Sequence, residues 1–274
     1  PPSLGFPSYK ENLGEVVNEG WEFTLRGFVV KKEDFNIMLS VNGAQNNNKL
    51  KKISNSLKAF NEEQDKQVEN KVMARYVEGQ SLNTIWVVRS LGIDPANGKE
   101  LFLDKNGKRT YDWNADDYVA EATTDPRLYG NLGLGIFYRG FSLNTYVNYS
   151  LGEKAYNQTL VDRVENADKH YNCDRRVLYD RWHKPGDETF FKDVKDASVT
   201  RPTSRFVQKN NYLNMTSLNV AYEFNPRLLE PLRIKYLKLA FYMTDLFRIS
   251  TMTAERGLDY PFARSVAFSL GIRF

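Results

Sequence analysis

The stretch Asn131-Leu132-Gly133-Leu134-Gly135-Ile136-Phe137-Tyr138-Arg139-Gly140-Phe141-Ser142-Leu143-Asn144-Thr145-Tyr146-Val147-Asn148-Tyr149-Ser150-Leu151 decides the fold class. Leu132, Leu134, Ile136 and Tyr138 alternate with Asn131, Gly133 and Gly135, the period of two that places side chains on opposite faces of a strand. After a break at Arg139 and Gly140 the period resumes. Leu143, Val147, Tyr149 and Leu151 now alternate with Ser142, Asn144, Asn148 and Ser150. Two strands, each with one oily and one polar face, are joined here by a tight turn.

The same pattern recurs on either side, giving about seven such blocks in all. Before it come Trp21, Phe23, Leu25, Gly27 and Val29, then Phe35, Ile37, Leu39 and Val41. After it come Leu218, Val220, Tyr222 and Phe224, then Leu237, Leu239, Phe241 and Met243. The last block is Val266, Phe268, Leu270, Ile272 and Phe274. None of these oily positions is charged, and their neighbours are mostly Asn, Ser, Thr and Gly.

Composition agrees with a β-rich chain. Hydrophobic residues make up 41% of the 274, but aromatics reach 14%, with 16 Tyr and 17 Phe, so rings carry the apolar area. Lys and Arg number 38 against 34 Asp and Glu, and a balance of +4 points to no nucleic-acid partner. No apolar run approaches the roughly 18–20 residues of a membrane helix, and the N-terminus lacks the basic stretch and apolar core of a signal peptide. The single cysteine, Cys173, has no internal disulfide partner.

The connections sort into two classes that alternate in order. Short ones run through Lys31 to Glu33, through Arg139 and Gly140, and through Asn225 to Arg233; long ones run from about Asn46 to Arg127, from about Gly152 to Asn211, and from about Arg248 to Ala263. In an up-and-down sheet all the short turns then share one end and all the long loops the other. That is the layout of an antiparallel up-and-down transmembrane β-barrel of the outer membrane. Phe35, Tyr138, Tyr222, Phe224 and Phe274 fall at one depth near the short-turn end, as an interfacial girdle does. A β-sandwich would also alternate, and a surface glycan-binding module of that fold is the competing reading. An odd strand number, entered from the long-loop side and ending on the short-turn side, is expected of the C-terminal part of a larger barrel spanning all of 1–274.

The motifs between and within these blocks resemble one family, the SusC/RagA-like TonB-dependent transporters of the Bacteroidetes outer membrane. Asn12-Leu13-Gly14-Glu15-Val16-Val17-Asn18-Glu19-Gly20-Trp21-Glu22 is similar to a strand entry of the family. The first long loop carries Glu78-Gly79-Gln80-Ser81-Leu82, Gly92-Ile93-Asp94-Pro95 with Asn97-Gly98, Asp104-Lys105-Asn106-Gly107 and Asp125-Pro126-Arg127. Arg181-Trp182-His183-Lys184-Pro185-Gly186-Asp187 in the second, and Tyr260-Pro261 through Arg264 to Phe274 at the end, complete the likeness. Asp245-Leu246-Phe247 departs from the family's more frequent Asn-Leu-Phe, and Asn211-Tyr212-Leu213-Asn214 lacks a frequent arginine.

The resemblance implies about the last seven of some 22 strands, a size class whose lumen holds a plug. It implies import of nutrients of the oligosaccharide or peptide class, with TonB supplying energy through the missing N-terminal part and a SusD-like surface lipoprotein as partner. With no Ser-His-Asp arrangement and no convergent acid, base or nucleophile in the sequence, no cofactor and no enzymatic role are expected. Phe268, Leu270, Ile272 and Phe274 look like the terminal β-signal read by the outer-membrane assembly machinery. Trp113, Tyr179, Arg181 and Trp182 suit ligand contact, because rings stack on sugars and peptides and Arg donates in a fork; pinning the long loops together is their competing role.

Other residues read as ordinary structure. Lys99 to Trp113 is expected to be a hairpin turning at Asp104-Lys105-Asn106-Gly107, and its acids do not form a 12-residue calcium loop. His170, Cys173 and His183 match no zinc spacing. Asp116 and Asp117 are expected on opposite sides of a strand in solvated loop, which rules out concerted acid–base work. Leu160 to Val164 and Asp168 read as a short loop helix with Asp162, Arg163 and Glu165 outward. Gly130, Gly133 and Gly135 are expected on the inward face, where small residues let a plug or backbone approach.

Overall fold

The computed structural model describes residues 14–66, 70–168, 170–253 and 264–274. In chain order its strands are β1 (Gly14–Lys31), β2 (Phe35–Ile53), β3 (Thr84–Ile93), β4 (Glu100–Leu103), β5 (Arg109–Thr110), β6 (Tyr118–Thr123), β7 (Leu128–Tyr138) and β8 (Phe141–Leu151). There follow β9 (Lys154–Tyr156), β10 (Val207–Lys209), β11 (Tyr212–Glu223), β12 (Tyr236–Thr244), β13 (Arg248–Ser250) and β14 (Ser265–Arg273). The chain divides into two compact units. One comprises residues 20–46, 125–154 and 209–274, the other residues 1–19, 47–124 and 155–208.

The first unit holds the sheet. Its path is β1-β2-β7-β8-β11-β12-β14, antiparallel at every pairing whose register is resolved, with β13 added beside β11. All seven alternating blocks are therefore strands of one up-and-down meander. The register brings the oily positions into rows. Ile37, Ile136, Leu143, Val220, Phe241 and Phe268 lie side by side across six strands. Phe35, Tyr138, Phe141, Tyr222, Leu239 and Leu270 form the neighbouring row toward the short turns. Phe35 meets Tyr138 edge-on at 6.0 Å and Tyr222 meets Phe224 at 4.9 Å, so four of the five girdle rings touch in pairs.

Two local devices keep these rows in step. At the β7–β8 turn Arg139 and Gly140 both have positive φ, 44° and 88°, as a two-residue type I′ turn requires, and Tyr138 pairs directly with Phe141. In β11 the register shifts between Met215 and Ser217, a bulge at Thr216. Without it a single-residue offset would turn Leu213 and Met215 to the face opposite Leu218 and Val220; with it all four share the oily side.

That side is uncovered. Phe268 is 81% exposed and Phe274 76%, with Leu25, Val29 and Leu270 also exposed. A β-sandwich would bury these side chains against a second sheet, and the described residues place none there.

The second unit folds the conventional way. β3 contributes Ile85, Trp86, Val87 and Val88, all buried, in the four-stranded sheet β5-β4-β3-β6. A helical turn Gln158–Leu160 runs into a π-type turn Val161–Glu165, closed by Asn166 N–H donating to Val161 O at 2.8 Å. Leu160, Val161, Val164, Val177, Phe191 and Phe206 form its core. Burying each such side chain stabilises by roughly 1.5–3 kcal/mol, so these loops hold their own shape.

Several expectations are corrected here. β2 runs on to Ile53, beyond the expected end at about Asn46. Asp116 and Asp117 sit in a 3-10 turn, not a strand; Asp117 is buried and accepts from Lys105 N–H at 2.9 Å. Glu165 is buried, not outward, because Arg205 from a distant segment meets it at 2.6 Å. Gly130 shares the oily face through its pairing with Gly43 and Tyr149, and a Cβ there would lie 2.0 Å from Asn42 O. The inward Gly133 faces Ser40 and the Tyr146 ring, so strand neighbours already fill its space. The hairpin at 99–113 forms as read: Gly107 has φ 77°, and Asp104 Oδ1 accepts from Asn106 and Lys108 N–H, both at 2.8 Å. Residues 12–13 of the opening motif and Tyr260-Pro261 of the closing one lie outside the described residues.

Candidate functional site

With rings and aliphatics on one face, the other face of the sheet is the polar one. There the register aligns Asn42, Asn131, Asn148 and Asn214 as a row of carboxamides on four successive strands, continued by Arg248 of β13. Asn131 donates its backbone and side-chain N–H groups to Asn42 Oδ1 at 2.9 and 3.3 Å. Asn144 and Asn219 face each other a few residues away, and the buried Asn219 Oδ1 has no partner. Carboxamides both donate and accept without carrying charge, so this face suits polar neutral groups. The row was invisible in sequence until the register was known.

In the loop unit the four ring and arginine candidates separate. Trp113 donates to Pro202 O at 3.1 Å, meets Tyr118 edge-on at 5.6 Å, and has the Arg201 guanidinium 4.9 Å over its face. Trp182 donates to Pro95 O at 2.9 Å and packs its ring against Gly98, where φ is 73° and a Cβ would lie 2.5 Å from the ring. Tyr179 is exposed and accepts from Arg175 Nε at 3.1 Å. Arg181 is 4% exposed and donates to the carbonyls of Lys192, Val164 and Glu165. Its guanidinium therefore ties two backbone segments, 164–165 and 192, together.

Beside Arg181 lies a charge network that sequence reasoning missed. Arg205 Nε and Nη2 bind Glu100 at 3.0 and 2.7 Å, Nη2 also binds Glu165 Oε1 at 2.6 Å, and Nη1 donates to Phe190 O at 2.6 Å. Burial alone would lower the pKa of Arg205, but the two carboxylates outweigh it and hold the guanidinium still more firmly protonated. Burial lowers the pKa of Lys192, whose Nζ reaches Ser198 and, at 3.8 Å, Asp196. The partners are far apart in the chain, and nothing local marks them.

Two cavities open in this unit. One, of about 530 Å³, is lined by Glu165, Arg181, Val177, Val194 and the strap Asp196–Val199, with Asp168 and His170 among its walls. The other, of about 690 Å³, is lined by Trp113, Arg201, Tyr111, Asp112, Lys99 and Glu100, and shares Asp196, Ser198 and Val199. Trp113 and Arg181 thus face different chambers on either side of one strap, while Tyr179 and Trp182 line neither. Among the described residues no group of three or more His, Cys, Asp or Glu side chains converges as a metal site would require.

An up-and-down sheet with bare apolar rows outside, carboxamides on the other face and long self-packed loops between alternate strands defines a large outer-membrane β-barrel. No family model matches the chain. TonB-dependent receptor P39 of Formosa agariphila is 21% identical, over 100% of this chain and 32% of that protein; TonB-dependent receptor P3 of the same organism is 23% identical, over 81% and 23%. Among solved structures, the RagAB peptide transporter superposes with a TM-score of 0.72 at 20% identity, covering 92% of this chain and 28% of that one. The RagAB peptide importer in its open-open state gives 0.71 at 20% identity, covering 93% and 27%. The chain is thus an outer-membrane β-barrel segment similar to TonB-dependent receptors, and it spans a third or less of the length of these relatives.

Proposed function

We propose that residues 1–274 are the C-terminal part, about the last seven of about 22 strands, of a plugged barrel that imports a nutrient of the oligosaccharide or peptide class. Import is coupled to TonB through the part of the protein upstream, and a SusD-like surface lipoprotein acts with the long loops. The observation that carries this reading is the seven-strand meander whose oily rows stay exposed while its opposite face is lined with carboxamides and hydroxyls. An open sheet of this kind leaves unpaired edges that are costly in hydrocarbon, so it needs the remaining strands to close it. The kinship with TonB-dependent receptors, and with a structure described as a peptide importer, supports the direction and energy source of transport. The role is transport rather than catalysis.

Deleting the full-length gene is expected to abolish uptake of labelled oligosaccharide or peptide by intact cells, and deleting TonB to do the same with the receptor still present. Undiminished uptake in both strains would refute the reading. Trp113, Tyr179, Arg181 and Trp182 remain the loop residues proposed to shape ligand contact, Arg181 through the cavity wall it builds. Phe268, Leu270, Ile272 and Phe274 are proposed as the assembly signal: Phe274→Asp should lower the amount of folded receptor in the outer membrane.

A further inference from the structure

A groove of about 420 Å³ crosses the oily face of the sheet along Ala221, Ala240 and Ser269, register partners on β11, β12 and β14. Side chains at these three positions turn to the other face, so the sheet between the neighbouring outward rows is bare. Rings make those rows tall. Phe141 and Tyr222 stand on the short-turn side, and Phe241 and Phe268, 5.2 Å apart, on the other. The groove opens on the same side as the exposed Leu270 and Phe274, so the hydrocarbon that surrounds the barrel is what borders it.

Charge decides which lipid suits it. The short turn beyond the groove, residues 225–235, carries exposed Arg227, Arg233 and Lys235 against Glu230 alone. On the neighbouring turn Arg139 already faces Asp34 at 3.4 Å. Leu228 and Leu232, each 65% exposed, accompany these cations, and such a mix of aliphatic and basic side chains settles at a headgroup layer. Lys235 has the parity of Leu237 and Leu239, and its Nζ donates to Phe274 O at 3.2 Å, at the edge of the girdle. With a rise of roughly 3.3 Å per residue it stands about 13 Å from Leu239 in the groove wall, within reach of an acyl chain attached at the headgroup layer. We propose that groove and turn together hold one anionic phospholipid of the periplasmic leaflet, an acyl chain lying between the ring ridges and the phosphate meeting Arg227, Arg233 and Lys235. A headgroup with its own ammonium would set a like charge beside three cations, so a phospholipid of net negative charge is preferred. The site depends on the barrel facing lipid and not on what the barrel imports.

The test is native mass spectrometry of the full-length receptor, with phosphatidylglycerol and phosphatidylethanolamine of identical acyl chains added to the detergent micelle in turn. The receptor should retain phosphatidylglycerol roughly fivefold better. Arg227→Gln combined with Arg233→Gln, on an exposed turn outside the strands, should bring the two lipids level. Leu239→Trp, apolar and outward, should lower retention of phosphatidylglycerol by filling the groove. Equal retention of both lipids by the unaltered receptor, a preference that survives loss of both arginines, or retention unchanged by Leu239→Trp would overturn the proposal. So would a disulfide between two copies through Leu239→Cys in native membranes, which would put a second copy of the chain on the groove.

Discussion

The sheet and the loop unit bury opposite things. In the sheet the largest side chains are outside, as Phe268 and Phe274 show, and the paired polar groups face the other way. In the loop unit Val87, Val88, Val161, Val164 and Phe206 are sealed inside and the charged groups that enter with them are matched, carboxylate to guanidinium. One chain therefore obeys two solvents: hydrocarbon tolerates bare rings but no charge, while water demands a closed core and punishes an unpaired buried ion. A substitution should thus have a cost set by which solvent its neighbourhood answers to.

The largest effect is expected at Arg205. Arg205→Met leaves Glu100 and Glu165 facing each other without their shared cation, a loss of about 3–5 kcal/mol for the loop unit. Limited proteolysis should cut residues 155–208 readily, while the heat-modifiable gel shift that reports a folded barrel persists. If proteolysis is unchanged, the loops are not an independently stabilised core.

Next comes a pair of neighbours on β12. Met243 lies in the outward row with Leu218 and Val266, and Tyr242 points to the other side. Met243→Arg should destabilise the folded barrel by about 2–4 kcal/mol in lipid vesicles, with Tyr242→Arg tolerated. Equal costs at both positions would mean that the two faces see the same surroundings.

The contrast also explains what was legible in the sequence. Hydrocarbon on one face and a polar interior on the other impose a strict period of two, so the alternating blocks of all seven strands are legible, while the extensions of β1 and β2 and the bulge in β11 are not. The loop core imposes no such rule. β3 is buried on both faces, so Ile85-Trp86-Val87-Val88 is a plain apolar run without alternation and went unread. Glu165 looks like a solvated helix position because its partners Arg205 and Thr200 lie 40 and 35 residues away. Trp113 and Arg181 stand out for their chemistry, but which chamber each lines depends on contacts that only folding makes. Grouped with Gly133 and Gly135, Gly130 reads as inward, although its parity is that of Leu132.

Glycines extend the comparison at a smaller scale. A Cβ at Gly130 would strike Asn42 O at 2.0 Å and Tyr149 Oη at 2.9 Å, whereas one at Gly27 would meet nothing within 4 Å. Gly130→Ala should cost about 1–3 kcal/mol of barrel stability by forcing the β2–β7 backbones apart, and Gly27→Ala close to nothing. Urea titration of the two variants in vesicles measures the difference. A neutral Gly130→Ala would show that the β2 and β7 backbones part at Asn42 without cost.

The smallest expected effect belongs to the watery side and appears only in acid. Asp174 caps the turn Arg175–Leu178, accepting from Arg176 N–H at 2.8 Å and from its guanidinium at 3.0 and 2.6 Å. The Arg176 side chain, then its backbone N–H, hold the carboxyl down at about 2. A carboxyl whose folded pKa is depressed stabilises fully above its unfolded value of about 3.9 and loses that contribution as the pH falls through the folded one. The turn should therefore tighten from pH 2 to 4 and change little above. The Arg176 amide resonance is expected to titrate with a midpoint near 2 and to stay flat in Asp174→Asn, which keeps an acceptor at the cap but carries no titrating charge. The carboxyl is mostly solvated, so the shift is local and the sheet should not register it. A midpoint near 3.9 would mean that the Arg176 contact is absent in solution, and an acid response in the sheet would mean that the two units do not answer to separate solvents.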